Sequence, residues 1–153
     1  MRFRGIDKLS VDAKGRLAVP KAHRDRLAEH GISELVITVD QSGCLLVYPE
    51  PVWDEVEQKL ASLPNSAQRV RRMVRLTLGY ATGVEIDGSG RVLLSNELRD
   101  YAGIEKKAVL IGQGKKFEIW NEEAWAAETA RWKEDFNDMD SGDVPDVLQD
   151  LSI

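Results

Sequence analysis

The stretch Asp12-Ala13-Lys14-Gly15-Arg16 has a second copy later in the chain, Asp87-Gly88-Ser89-Gly90-Arg91. Apolar residues at alternate positions precede and follow each copy, and this spacing is typical of strands that bury one face. The Asp carboxylate can accept hydrogen bonds from backbone amides further along a turn, and the glycine can adopt a positive φ without steric cost. Each copy therefore predicts a tight turn between two strands, formed by Asp12 or Asp87, with an arginine at its exit.

The duplication extends far beyond the two turns. Residues 9–27 align with residues 84–102 at an offset of 75, and after a three-residue deletion the alignment continues at an offset of 72. Each unit predicts a strand (6–11; 80–86), the turn, a short strand (16–19; 91–94), a short helix (20–29; 95–102), two further strands (35–39 and 44–48; 109–111 and 117–120) and a closing helix. We expect Gly31 and Gly103 to end the short helices, and Gly43 and Gly112-Gln113-Gly114 to form the hairpin turns.

This pattern divides the chain into a first repeat (1–60), a linker helix (61–78), a second repeat (79–137) and an acidic tail (138–153). Ser66 is the expected N-cap of the linker helix. A unit of about 50–60 residues has too little core to be stable alone, so we expect the two repeats to complete one another around a pseudo-two-fold axis. The predicted fold is α+β and β-rich, with the strands closed into one barrel-like core and the helices flanking it.

Charge is distributed unevenly over the 153 residues, whose net charge is −5. Residues 1–26 contain eight Lys or Arg and three Asp, whereas residues 134–153 contain seven acidic residues and no basic one. Because an anion responds to the local field rather than to the total charge, a basic N-terminal region with an acidic tail is compatible with DNA binding, and equally with head-to-tail self-association. No apolar run approaches the roughly 20 residues of a membrane span, and the single Cys44 excludes a disulfide framework, so we expect a cytoplasmic protein without a membrane partner.

The arginine at the exit of each turn is the candidate functional group. A guanidinium on a rigid turn can bind a phosphate, or the O6/N7 edge of guanine, through two hydrogen bonds. Alternatively, each Asp–Arg pair is an intramolecular ion pair that only stabilises its own turn. Retention of Asp, Gly and Arg in both copies favours a functional role. The argument is only partial, because a duplicated fold also duplicates its structural turns. Lys14 in the first turn and Ser89 in the second make the two turns related but not identical.

Several segments together resemble the MraZ family of bacterial transcription regulators, which are encoded at the start of the division and cell-wall gene cluster. They are Phe3-Arg4-Gly5 and residues 12–20, 44–49, 71–75, 87–91, 109–113 and 116–120. The resemblance covers nearly the whole chain. It implies two tandem swapped-hairpin domains of SpoVT/AbrB type, ring-shaped homo-oligomers, and binding to repeated DNA sites upstream of the protein's own operon.

The same resemblance implies that the turns contact DNA. The predicted DNA-binding residues are Arg16, Arg91, Lys14, Gly15, Gly90 and Arg4. The predicted partners are double-stranded DNA with operator repeats and further copies of the chain, because a ring multiplies the weak contacts that two turns per subunit can make. We predict a nucleoid-associated regulator with no cofactor, no metal and no small-molecule substrate. The open alternative is a ring whose basic face binds a protein or another polyanion.

Other chemistry-bearing residues give weaker signals, and an enzyme is not predicted. His23 and His30 lack the additional ligands of a metal site and are expected at the surface. Cys44 lies in an apolar segment and is expected to pack rather than to react. Ser10 and Ser95 have no evident base partner.

Two clusters at helical spacing also call for an interpretation. An aromatic stripe predicts core or subunit packing rather than a ligand platform, and consists of Trp125, Thr129, Trp132 and Phe136. A basic cluster in the linker helix is a solvated face, a phosphate contact or a partner for the acidic tail, and consists of Arg69, Arg71, Arg72 and Arg75. We favour intersubunit or intramolecular pairing of the basic cluster, because a linker helix on the outer side of the core could meet the carboxylates of a neighbour.

Overall fold

The computed structural model of the protein describes residues 1–137 and Leu151. The predicted acidic tail, residues 138–153, lies outside the described residues apart from Leu151. Residues 1–122 form one compact unit, and the described residues 123–137 belong to a second. Among the described residues, no helix has the length and apolar character needed to cross a membrane.

The elements follow the order predicted from the repeat. They are β1 (Phe3–Ser10), β2 (Arg16–Ala18), α1 (Lys21–Glu29), β3 (Glu34–Val39), β4 (Leu45–Pro49), α2 (Glu50–Ala61), α3 (Gln68–Gly79), β5 (Thr82–Glu85), β6 (Arg91–Leu93), α4 (Asn96–Ala102), β7 (Lys107–Gly114), β8 (Lys116–Asn121) and α5 (Glu122–Asn137). The succession from β1 to α2 is repeated from β5 to α5, and α3 stands between the two. The α+β class and the tandem repeat are therefore confirmed.

Local sequence accounts for the ends of the short helices. The Ser95 hydroxyl accepts a hydrogen bond from the Leu98 amide at 3.3 Å and so caps α4. Gly31 and Gly103 follow α1 and α4 with φ of +67° and +65°. Both are in the left-handed conformation that a glycine supplies at the end of a helix, as predicted.

The two repeats exchange strands. The large sheet has six antiparallel strands in the order β1-β7-β8-β4-β3-β5. Strand β1 of the first repeat thus pairs with β7 of the second, and β5 of the second pairs with β3 of the first. Strands β2 and β6 form a separate two-stranded sheet. Replacing each strand by its counterpart in the other repeat gives the same order read from the opposite edge, which is the expected pseudo-two-fold symmetry.

The core lies between one face of the large sheet and a layer that contains β2, β6, α1 and α4. It joins buried residues of the sheet, such as Leu45, Val47, Phe117 and Ile119, to buried residues of the layer, such as Leu17, Leu27, Val92 and Leu98. The expected barrel-like closure is wrong, because the large sheet is open, with β1 and β5 as its edges within the described residues. The layer covers the apolar face, so burial of the core does not require the two edges to pair.

Helices α2 and α3 contact the opposite face of the large sheet. The rings of Tyr48 in β4 and Trp53 in α2 lie 5.5 Å apart, and the Thr38 hydroxyl in β3 donates to the Thr77 carbonyl in α3 at 2.5 Å. Tyr48 follows Val47, which belongs to the core. Because successive residues of a strand point to opposite faces, these contacts lie on the side of the sheet away from β2 and β6.

The start of α3 differs from the prediction. Ser66 does not cap the helix, since α3 begins after Ala67 and has no side-chain cap. The carbonyls of Asn65 and Ser66 instead accept hydrogen bonds from Arg71 Nη1, at 2.9 and 3.1 Å. Arg71 therefore fixes the entry to the helix. Pairing of the basic cluster with the acidic tail stays a prediction, because the tail lies outside the described residues.

One predicted turn is in fact part of a strand. Gly112 and Gln113 lie in β7, and the turn to β8 falls at Lys115. Gly112 pairs with Gly5 of β1, and a Cβ at Gly112 would collide with backbone atoms of Arg4. This glycine therefore serves the close approach of two strands rather than a reversal of the chain.

Within the second compact unit, α5 brings two tryptophans of the predicted aromatic stripe together. The rings of Trp125 and Trp132 lie 5.7 Å apart and cross at 79°, an edge-to-face arrangement. The Thr129 hydroxyl donates to the Trp125 carbonyl at 2.8 Å. Phe136 is 67% exposed, so subunit packing of the stripe stays a prediction.

Candidate nucleic-acid interface

The two Asp-x-x-Gly-Arg turns have the same internal geometry. In the first, Asp12 Oδ1 accepts from the amides of Lys14 at 2.9 Å and Arg16 at 2.8 Å. In the second, Asp87 Oδ1 accepts from the amides of Ser89 at 2.8 Å and Arg91 at 2.9 Å. Each carboxylate thus closes a turn that places its arginine at the first position of a strand.

Beyond the turns, β2 and β6 pair into an antiparallel ribbon. Residues that lie directly opposite each other in such a pair point to the same face. The register is Arg16 opposite Leu93, Leu17 opposite Val92, and Ala18 opposite Arg91. Leu17 and Val92 are buried in the core, so the other two pairs face outward. The outward face of the β2–β6 ribbon therefore carries the two arginines at diagonal positions, with Ala18 and Leu93 beside them.

The two arginines share one carboxylate. Asp12 Oδ2 lies 3.3 Å from Arg16 Nε and 3.7 Å from Arg91 Nη1, and the arginine side chains are 32% and 37% exposed. Within the described part of the chain, both Nε atoms are buried without a hydrogen-bond partner, so the 3.3 Å contact is an ion pair that lacks hydrogen-bond geometry. The guanidinium groups are held in place while part of each side chain stays accessible to an anion.

These contacts also set the charge of the carboxylates. Hydrogen bonds from backbone amides, chiefly that of Arg16, hold the pKa of Asp12 below its ordinary value of 3.8, and the nearby guanidinium groups lower it further. For Asp87, the amide of Arg91 is the chief cause of the lowered pKa. In both cases loss of hydration opposes the shift without reversing it. Both carboxylates are therefore ionised at neutral pH and hold the arginines as ion pairs.

Each turn glycine is enclosed by a residue of the other repeat. Gly15 and Gly90 have φ of +91° and +78°. A Cβ on Gly15 would lie 2.7 Å from the Leu94 carbonyl oxygen and 2.8 Å from Arg99 Nε, and one on Gly90 would lie 2.6 Å from Arg24 Cδ. Glycine is required at both positions for its conformation and for the lack of space.

Arg24 and Arg99 hold the surroundings of the two turns, a role that the sequence pattern does not by itself reveal. Arg24 Nε donates to the Val19 carbonyl at 2.8 Å, and Arg99 Nε donates to the Leu94 carbonyl at 3.2 Å. Each arginine comes from a helix of one repeat and contacts the turn glycine of the other. The signal available in the sequence is the match of Arg24 with Arg99 at the offset of 75.

Of the other predicted site residues, Lys14 lies in the first Asp-x-x-Gly-Arg turn, whereas Arg4 lies far from both turns. Lys14 is exposed between Asp12 and Arg16. Arg4 lies in β1 of the large sheet, opposite Gln113. Arg4 and Asp12 are eight positions apart in largely extended chain, which corresponds to roughly 25 Å along the strand. The structure therefore separates Arg4 from the two arginine turns.

His23 is buried, so its expected position at the surface is wrong. Its ring lies 5.8 Å from that of Phe3 and 4.8 Å from that of Phe117, and its Nε2 lies 3.4 Å from Asp7 Oδ2. These neighbours come from β1 and β8, which the spacing of His23 and His30 on a helix does not reveal. His30 is exposed, as expected. No group of three or more His, Cys, Asp or Glu in the described residues is placed to hold a metal ion.

Cys44 packs directly before β4. It is fully buried, and loss of hydration raises the pKa of its thiol to about 12. Because the thiolate is the reactive form of cysteine, this side chain is protected from electrophiles at neutral pH. Its position agrees with the predicted packing role.

Comparison with known proteins identifies the family. The chain matches a family model described as "MraZ protein, putative antitoxin-like" twice in tandem, over residues 2–76 and 77–144. It is 51% identical to "Transcriptional regulator MraZ" of Thioalkalivibrio sulfidiphilus over 99% of both chains, and 45% identical to the protein of that name from Halorhodospira halophila over 99% of both chains. A third, from Hydrogenovibrio crunogenus, is 48% identical over 98% of this chain and 95% of its own. The shared name denotes a regulator of transcription and not a class of enzyme. The chain belongs to the MraZ family of transcriptional regulators.

Proposed function

We propose that this chain regulates transcription by binding double-stranded DNA in a sequence-specific manner through the outward face of the β2–β6 ribbon. The observation that carries the proposal is the placement of Arg16 and Arg91, one from each repeat, on one accessible two-stranded ribbon. The major groove of DNA admits such a ribbon, and a guanidinium can donate two hydrogen bonds to O6 and N7 of guanine. The two arginines are assigned the role of reading guanine, and Lys14 that of a phosphate contact.

The rigidity of the two turns supports this assignment. Asp12 fixes the backbone of its turn through Oδ1 and faces both guanidinium groups through Oδ2. Arginines that are already oriented lose less side-chain entropy when they bind. Gly15 and Gly90 keep the turns compact at the position where DNA would approach. Arg4, on the large sheet, is assigned a longer-range electrostatic contribution.

The proposal includes an oligomer. One ribbon offers only two arginine turns, which is few for tight and specific binding, so we assign several copies of the chain to successive operator repeats, as in a ring. We assign these repeats to the DNA upstream of the protein's own operon, in the division and cell-wall gene cluster, as the resemblance noted in the sequence implies. The protein would accordingly be cytoplasmic and associated with the nucleoid.

Two arginine substitutions test the proposal. Arg16→Ala and Arg91→Ala should each weaken operator binding by roughly 5- to 150-fold, the range for losing one two-pronged guanine contact. Lys59→Ala, which removes an exposed cation from the last turn of α2, is the control and should bind like the wild type. Gel shifts measure binding, and light scattering on the same samples measures the oligomer. Unchanged DNA affinity in both ribbon variants, with the oligomer intact, would refute the proposal.

Salt dependence tests the contribution of phosphate. If Lys14 contacts a phosphate, the slope of log Kd against log salt concentration should be smaller by about 1 in Lys14→Ala than in the wild type. Ser89→Ala, at the equivalent position of the second turn, is the control and should keep the wild-type slope. An equal slope in wild type and Lys14→Ala would remove Lys14 from the interface.

A further inference from the structure

Leu93 is the large apolar side chain that the β2–β6 ribbon leaves exposed. It is 52% exposed and lies directly opposite Arg16, on the same face as Arg91. A single exposed leucine is common on protein surfaces and means little by itself. What distinguishes Leu93 is its place, between two arginines on a surface proposed to enter the major groove.

The chemistry of the major groove supplies one apolar partner for such a side chain. All four bases present hydrogen-bond donors or acceptors there, but only thymine also presents a methyl group. We propose that Leu93 contacts the 5-methyl group of a thymine next to the guanine that Arg16 reads, and so determines part of the sequence specificity. This inference rests on the proposed DNA-binding function of the ribbon.

The same position in the first repeat is different. Ala18 is the counterpart of Leu93 at the offset of 75 and lies opposite Arg91. Its short side chain ends at Cβ, so it reaches less far from the ribbon than the leucine. The two arginines are therefore placed almost symmetrically on the ribbon, whereas the apolar residues opposite them differ, with leucine at one end and alanine at the other. The thymine methyl is read at one end only, and this fixes the orientation in which each protomer lies on DNA.

Deoxyuridine provides the test, because it is thymidine without the 5-methyl group. The probe is a duplex selected from a random-sequence pool by the wild-type protein, with deoxyuridine placed at one thymine position at a time. We expect one position at which the replacement weakens wild-type binding by about fourfold, the equivalent of burying one methyl group. Leu93→Ala should bind the thymine duplex about fourfold more weakly and should not respond to deoxyuridine at that position.

Two further variants act as controls. Leu93→Met keeps a long apolar side chain and should keep the response to deoxyuridine. Ala18→Leu should create a response at a second thymine position, on the opposite side of the site. Thermal unfolding and light scattering of each variant establish that fold and oligomer are unchanged, as expected for an exposed residue.

The outcomes separate this inference from the proposed function. If Arg16→Ala and Arg91→Ala lose DNA binding but wild type and Leu93→Ala respond equally to deoxyuridine, the Leu93 contact is wrong and the function stands. If Leu93→Ala dissociates the oligomer, Leu93 is a subunit contact and the inference is overturned. If the arginine variants bind like the wild type, or the wild type selects no duplex from the pool, the function and the inference fall together.

Discussion

At the scale of single residues, Asp12 performs two tasks with its two carboxylate oxygens. Oδ1 accepts the amides of the turn, and Oδ2 faces the guanidinium groups of Arg16 and Arg91. The first task requires only an oxygen, whereas the second requires a negative charge. The two tasks can therefore be separated by replacing the carboxylate with an amide.

Asp12→Asn should lower the stability of the protein in a pH-dependent way. Because the pKa of Asp12 is lower in the folded protein than its ordinary value of 3.8, the ionised form stabilises the fold. This contribution is fully present above about pH 3.8 and is lost as the pH falls through the lowered value. The free energy of unfolding should therefore favour the wild type at neutral pH, and the difference should shrink in acid.

Denaturant unfolding from pH 7 down to below pH 3 measures this difference. Asp25→Asn is the control, since it removes an exposed ion pair with Lys21 and should change stability by less than about 1 kcal/mol. A gap between wild type and Asp12→Asn that is independent of pH would show that the charge of Asp12 is not involved.

At the scale of elements, strand exchange depends on the close approach of β1 and β7. Gly112 faces the backbone of Arg4 with no room for a Cβ, although its strand continues on both sides. A larger side chain at this position is therefore excluded by the neighbouring strand. The backbone conformation does not exclude it, since Gly112 has no positive φ.

Gly112→Ala should weaken the pairing of β1 with β7. We expect a loss of roughly 1–3 kcal/mol, typical of forcing extra atoms into a packed site, and faster hydrogen exchange of the β1 amides. Gly83→Ala in β5 is the matched control, because a Cβ there meets no atom within 4 Å. Equal stability and equal exchange in the two variants would mean that β1 can move away from β7 at little cost.

The sequence predicts those elements whose signals are local. The turns, the two short helices and the glycines after them follow from residues close together in the chain. The position of His23 was missed because Phe3 and Phe117 lie far from it in sequence, and Gly112 looked like a turn glycine because its constraint comes from β1. The barrel closure was wrong for a similar reason: alternation shows that a strand has a buried face, but not whether another sheet or a helix covers it.

At the scale of the whole molecule, the exchanged strands make the two repeats depend on each other. Within residues 1–122, β1 and β5 each complete the sheet of the other repeat, and one core cluster contains residues of both. A domain formed in this way should unfold as one cooperative unit.

Leu27→Ala and Leu98→Ala test this cooperativity. Both leucines are fully buried, one in each repeat, and each truncation should cost about 2–5 kcal/mol. Circular dichroism and tryptophan fluorescence, recorded at one protein concentration, should show a single transition for residues 1–122 that either variant shifts to lower denaturant. Two transitions, with each variant shifting only one of them, would show that the repeats are independent.

Affinity cleavage tests most directly the central claim that the β2–β6 ribbon is the surface that meets DNA. Iron–EDTA attached to Ala18→Cys on the ribbon can be compared with the same label on Ser62→Cys, after α2 on the other side of the large sheet. Native Cys44 should remain unlabelled, since it is fully buried and its thiol pKa is raised to about 12. We expect the Ala18→Cys conjugate to cleave the selected duplex at discrete positions within each bound repeat, and the Ser62→Cys conjugate to give little cleavage. Cleavage from Ser62→Cys alone would contradict the account.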